Sequence, residues 1–203
     1  VGVHAVGDAA IDRVLDAYEL ADAERSIKGR RFIVIHGSLM RRDQMERAKK
    51  LDVRVDAQTS FLWDKAATVA RFLGKETADR AFPMRTMIDV MGLDAVAQGT
   101  DYPINPVNPF VNIYVMVTRK DKNGEVFGAH ERISREEAIR LYTSAAARYS
   151  FAEAKTGTIE PGKYADMTVI SDDILGVPEE AIKDIVAVRT IVEGQTVFER
   201  GAA

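Results

Sequence analysis

The 203-residue chain contains no cysteine. Disulfides and thiolate metal sites are therefore excluded, and any bound ion must be held by histidine, aspartate, glutamate or a modified side chain. Histidine is scarce too, with three in the chain, so the place of each one matters. No apolar run approaches the roughly 20 residues that span a bilayer as a helix. Neither sign of charge dominates: 28 Lys and Arg stand against 31 Asp and Glu, for a net charge of −3. The concentrated basic surface that nucleic acid requires is missing. Neither a membrane nor a nucleic acid is expected as a partner. No basic start precedes a long apolar stretch, but the first residues read as the middle of a domain. The compartment stays open, and is cytoplasmic only if the absent N-terminus carries no signal peptide.

What is present is a globular composition, 46% apolar and 29% charged, enough to build a core without staples. Val1 to His4 reads as the end of a strand. Asp8 can cap the next element, in which Ile11, Val14, Leu15 and Tyr18 fall at helical spacing. "RRFIVIH" (30–36) is a β-rich run, "RRDQMERAKKL" (41–51) a charged amphipathic helix, and "VRVDAQTS" (53–60) a weakly alternating strand. Residues 64–91 read as helical, with Pro83 at a helix start and Gly92 after its end. "DAVAQGTD" (94–101) is a short strand, and "YPINPVNPF" a shaped loop holding three of the six prolines. Residues 110–119 are expected to be helical and 120–132 to form a polar surface loop that exposes His130. Arg119 reads as a helix-end charge. Ser134 and Glu137 form a capping box for a helix over 134–151. After residue 152 β structure dominates, ending in a hairpin about Glu193-Gly194. Strands alternating with helices imply βα units around a parallel sheet.

Three apolar strands end in metal-competent side chains: His4 after "VGV", His36 after "RFIVI" and Asp101 after "DAVAQGT". A (β/α)8 barrel spends about 30 residues on each unit. His4 and His36 are 32 residues apart, and His36 and Asp101 are 65 apart, with one strand between them. This spacing puts all three at one rim, where barrel enzymes build their sites. Two imidazoles and a carboxylate suit Zn²⁺ or a related divalent ion. Such an ion lowers the pKa of its water to about 7 and polarises a carbonyl. Asp101 could be both ligand and base. Each residue also has a plainer reading. A strand-end histidine is often only a hydrogen-bonding core residue, and Asp101 could be a turn aspartate. Asp8 is either a helix cap or a side chain supporting the ligands from behind.

"HAVGDAAIDRVLDAYE", "RFIVIHGSL", "GTDYPINPVNPFVNIYVMVTR" and "ISREEAIRLYTSAAARYSFAEAKTGTIEPGKYADMTVIS" resemble, in order, the C-terminal half of the metal-dependent amidohydrolase superfamily. The branch they resemble contains the N-substituted formamide deformylases. The resemblance implies an α/β fold: the second half of a TIM barrel, strands five to eight, over residues 1–152, then part of a composite β-sandwich over 153–203. It implies that His4 and His36 bind metal after strands five and six. It gives Asp101, after strand eight, the roles of ligand and proton carrier. The family's His-x-His pair of strand one and its lysine or acid after strand four are not in this chain. Other departures are Ala9 for Arg, Ile35 for Glu and Thr100 for Ser, the first two removing charge at the mouth of the site.

The expected function is metal-dependent hydrolysis of an amide or other C–N bond in a small molecule, with zinc first among the divalent ions. The competing expectation is a catalytically incomplete half-barrel that self-associates or binds. Either needs a partner for the open sheet edges, the missing N-terminal half or another copy of the chain. A dinucleotide site is set aside because Gly2 and Gly7 lack the G-x-G-x-x-G spacing. A serine hydrolase is set aside because "HGSLM" is no nucleophile elbow. "FLW" (61–63) and "YPINP" (102–106) would flank the mouth, although Trp63 could equally be packing.

Overall fold

The computed structural model describes residues 1–201, so residues 202 and 203 of the expected C-terminal segment lie outside the described residues. The chain begins with β1 (Gly2–Ala5), α1 (Asp8–Glu24), β2 (Ile33–His36), α2 (Arg42–Lys50) and β3 (Arg54–Ala57). Three helices follow, α3 (Ser60–Leu73), α4 (Lys75–Arg80) and α5 (Met84–Met91), before β4 (Val96–Gln98) and α6 (Pro109–Thr118). These strands form a parallel sheet in the order β1-β2-β3-β4. The chain is thus an α/β fold whose crossovers are helical, as parallel pairing demands.

The register sorts the two faces of the sheet. Val3, Val34, Val55 and Val96 share one face with Ala5, Ala57 and Gln98. Most of that face is buried, and α1 packs there through Ile11, Leu15 and Tyr18, all at most 4% exposed. The other face carries His4, Ile35, Asp56 and Ala97, and the β1 end of it is open. No helix among the described residues is long and apolar enough to cross a membrane.

The helix expected over 134–151 is broken. It becomes α7 (Arg135–Tyr142) and α8 (Ser144–Tyr149), with Thr143 between them at φ −120°, ψ −90°. The Ser134–Glu137 capping box starts α7 as read. The tail packs against the break: a Cβ on Gly157 would lie 3.0 Å from the Thr143 carbonyl and 2.5 Å from the Ala147 Cβ. The tail then forms an antiparallel sheet of β5 (Met167–Ile170), β6 (Ala187–Val192) and β7 (Gln195–Glu199). Glu193 and Gly194 both have positive φ, the geometry of a tight hairpin turn. A 3₁₀ turn at Glu179–Asp184 docks this tail onto α6, where Tyr114 donates to Glu180 at 2.9 Å.

Three local expectations are corrected. Arg119 is not a solvent-facing helix-end charge but is fully buried. As the left-handed C-cap of α6 it turns inward and donates to the carbonyls of Phe127 (2.9 Å), Phe82 (2.8 Å) and Ala81 (2.7 Å). Segment 120–132 is a surface loop only in part, since Asp121, Phe127 and Glu131 are buried while His130 is exposed. Asp8 is the first residue of α1 rather than its cap; Gly7 holds the cap position. An aspartate there still suits the positive end of the helix.

Candidate functional site

The C-terminal ends of β1 and β2 bring two imidazoles together. His4 and His36 meet edge to face, with ring centroids 4.4 Å apart. The ladder continues beyond the strands, because Gly37 N–H donates to the Ala5 carbonyl and Leu39 N–H to the Val6 carbonyl, both at 3.0 Å. His36 itself has φ +77°, a conformation that costs a non-glycine residue energy and is held by this ladder. Burial lowers the His36 pKa, the neighbouring His4 lowers it further, and the Asp101 carboxylate and Gln58 oppose them. The net effect favours neutral imidazole, the form that binds metal. Phe61 packs edge-on against His36 at 5.9 Å, so it does stand at this rim. Trp63 instead packs against Tyr114, with ring centroids 5.7 Å apart.

Asp101 follows β4 and is exposed, with φ +58°. Its turn is pinned from behind: Ser60 Oγ and Asn105 Nδ2 donate to the Thr100 carbonyl (3.2 and 2.9 Å), and Asn112 Nδ2 to the Gly99 carbonyl (2.9 Å). Asp8 lies apart from this cluster in its interactions. Its carboxylate accepts from Ala9 N–H at 2.8 Å and meets Arg41 at 3.6 Å. It lines a cleft of about 480 Å³ that also involves Leu39, Arg80 and Pro83, and that none of His4, His36 and Asp101 lines.

One residue at the centre was missed by the reading of the sequence. Asp56, in the middle of β3, shares the open face with His4, and burial pushes its carboxyl up to about 6. The Tyr149 hydroxyl and Gln58 partly offset that rise, and the Asp101 charge adds to it. The chain just past β4 packs beside this carboxylate, since a Cβ at Gly99 would sit in ordinary contact with Asp56 Oδ1, at 3.4 Å. The signal available was the alternation in "VRVDAQTS", which puts Arg54, Asp56 and Gln58 on one face.

Two imidazoles side by side, with His36 held toward its neutral form, are a fitting donor pair for a divalent ion. Among the described residues, no three His, Asp or Glu side chains converge closely enough to enclose one.

Comparison with known proteins decides the family. A family model described as the amidohydrolase family matches residues 1–198. The chain belongs to the amidohydrolase family. The protein YtcJ of Bacillus subtilis (strain 168), named as an amidohydrolase, is 33% identical over 203 residues, covering 98% of this chain and 37% of its own length. The N-substituted formamide deformylase of Arthrobacter pascens is 28% identical over 202 residues, covering 98% of this chain and 36% of its own. A solved structure of an uncharacterised metal-dependent hydrolase from Pyrococcus furiosus is 39% identical, with a TM-score of 0.66 over 81% of this chain and 32% of that one. This amidohydrolase chain therefore spans little more than a third of the length of the curated relatives it matches.

Proposed function

We propose that this chain is the C-terminal half of a (β/α)8-barrel hydrolase, with β1 to β4 as strands five to eight, and that it acts on an amide or other C–N bond. The observation that carries the reading is the 4.4 Å apposition of His4 and His36 at the ends of adjacent parallel strands. That is the rim at which barrel enzymes build their sites. In this proposal residues 1–152 form the half-barrel, and residues 153–203 form part of a composite β-sandwich.

His4, His36 and Asp101 would hold a divalent ion, zinc first. When bound, it supplies Lewis acidity toward a carbonyl and lowers the pKa of water. The chain's own residues do the rest. His36, kept toward neutrality by burial, offers a free lone pair. Asp101 takes a proton from the attacking water and returns it to the departing amine. Phe61 walls the site on the His36 side. Asp8, read from the sequence as a possible support for the ligands, pairs instead with Arg41 at 3.6 Å. Among the described residues β1 and β4 are each paired on one side only, and Val1 and Val3 are exposed. The remaining ligands and the cover for these edges would come from the rest of the barrel or from a second copy of the chain.

A second reading, a self-associating half-barrel without catalysis, is favoured by the failure of three ligands to converge among the described residues. Metal analysis, native mass and turnover of an N-substituted formamide separate the two. Stoichiometric zinc lost in His36→Ala, with turnover lost in Asp101→Asn, supports the hydrolase. A metal-free dimer without turnover supports the second reading.

A further inference from the structure

The opposite rim of the sheet holds a second group of polar side chains that hydrolysis does not use. A cavity of about 230 Å³ opens there, between α7, α8, the turn before β4 and the segment leading to β5. Arg140, Arg148 and Lys163 line it, with the hydroxyls of Ser144, Thr156 and Thr158. Asp94 and Glu153 also line it, but both carboxylates are engaged. Asp94 meets Arg148 at 3.3 Å, and Glu153 is forked by Arg31. Lys163 donates to Thr158 Oγ1 at 2.6 Å and pairs with Glu160 at 3.1 Å. Arg140 has no carboxylate partner among the described residues.

Two further observations point to a missing acceptor. The Ser144 Oγ is buried and has no hydrogen-bond partner. Buried polar atoms are normally satisfied, so an orphan hydroxyl beside an unpaired guanidinium marks a place where a ligand can accept. Arg54, which opens β3 on the same rim, is 9% exposed, and its buried Nε is also unpartnered. Burial, then Arg31 and Arg148, lower its pKa, while Asp52 and Asp94 oppose them, so several cations lie close together on this rim.

We propose that this cavity binds a tetrahedral oxyanion of the phosphate class, held by the Arg140 and Lys163 charges and by the Ser144 hydroxyl. Guanidinium, ammonium and hydroxyl donors converging on one small space are the chemistry that phosphoryl oxygens select. Thr156, Thr158 and Lys163 come from the tail, whereas Arg140, Ser144 and Arg148 come from α7 and α8. The anion therefore ties the tail to the helical layer.

The test is a titration of the whole chain with inorganic phosphate at constant ionic strength, read by calorimetry and by thermal unfolding. Saturable one-to-one binding with a raised Tm is expected. Because Arg140 is exposed, Arg140→Gln folds, and it weakens binding about tenfold. Lys163→Gln and Ser144→Ala weaken it as well. Arg80→Gln, at the other cleft, leaves it unchanged. Glycerol 3-phosphate is titrated in parallel. Tighter binding of the ester identifies an organic phosphoryl group as the source, and equal or weaker binding identifies free phosphate; either supports the site. Failure to saturate, equal stabilisation by chloride, or binding that survives both Arg140→Gln and Lys163→Gln overturns it.

Discussion

The Tyr149 hydroxyl lies 3.5 Å from Oδ2 of Asp56, joining α8 to the open face of the parallel sheet. Burial raises both groups, the tyrosine to about 12 and the aspartate to about 6. Free aspartate ionises near 3.9. The folded state therefore keeps a proton on Asp56 that the unfolded chain releases between about pH 4 and pH 6. The stability this proton contributes is full below pH 4 and is lost as the pH rises through 6. In chelator-treated protein, Asp56→Asn should raise the unfolding free energy at pH 8 by about 3 kcal/mol, and the gain should vanish by pH 4. Urea unfolding from pH 4 to pH 8 checks this. Parallel curves for variant and parent would sink it.

Removing the other partner should act in the opposite sense on the proton. The Tyr149 hydroxyl favours ionised Asp56 by donating to it. Tyr149→Phe should therefore move the Asp56 midpoint upward from about 6. Carboxyl carbon chemical shifts followed against pH report that midpoint directly. A midpoint that stays or falls rejects the assigned hydrogen bond.

Asp56 and the histidines differ in how legible they are in the sequence. His4 and His36 end apolar runs, so the change from apolar to polar marks both the strand end and the candidate ligand. Asp56 sits within a weak alternation, and its raised pKa comes from tertiary surroundings, burial first and then the Asp101 charge. The break at Thr143 was hidden for a similar reason. The capping box that starts α7 is local, whereas the close approach of Gly157 that accompanies the break comes from the tail. Arg119 looks like any basic residue at a helix end. Its burial depends on carbonyls at positions 81, 82 and 127, which no spacing rule connects.

Arg119 should therefore be among the costliest single positions in the chain. Its side chain satisfies three backbone carbonyls, and burial lowers its pKa to about 10, still charged at neutral pH. Arg119→Met keeps much of the volume but strands those carbonyls, at about 1–3 kcal/mol for each buried group left unsatisfied. A loss of about 3 kcal/mol or more is expected, read from the urea midpoint. Arg132→Met, at an exposed residue whose side chain makes one backbone bond to Thr118, should cost about 1 kcal/mol. Equal costs at the two positions would contradict the clamp.

Gly157 tests how tightly the tail is seated against α8 just past the break at Thr143. Its φ of +89° disfavours any side chain, and an added Cβ would come within 2.5 Å of the Ala147 Cβ. Gly157→Ala thus meets two penalties, backbone strain of about 1–2 kcal/mol and a clash with α8. Ala147→Gly removes the clashing carbon but not the strain, at a cost of about 1 kcal/mol in helix propensity. The two changes should therefore couple: the double variant should be more stable, by about 1 kcal/mol or more, than the sum of the single losses predicts. If the losses simply add, the two atoms do not meet, and the seating of the tail against α8 is not what limits position 157.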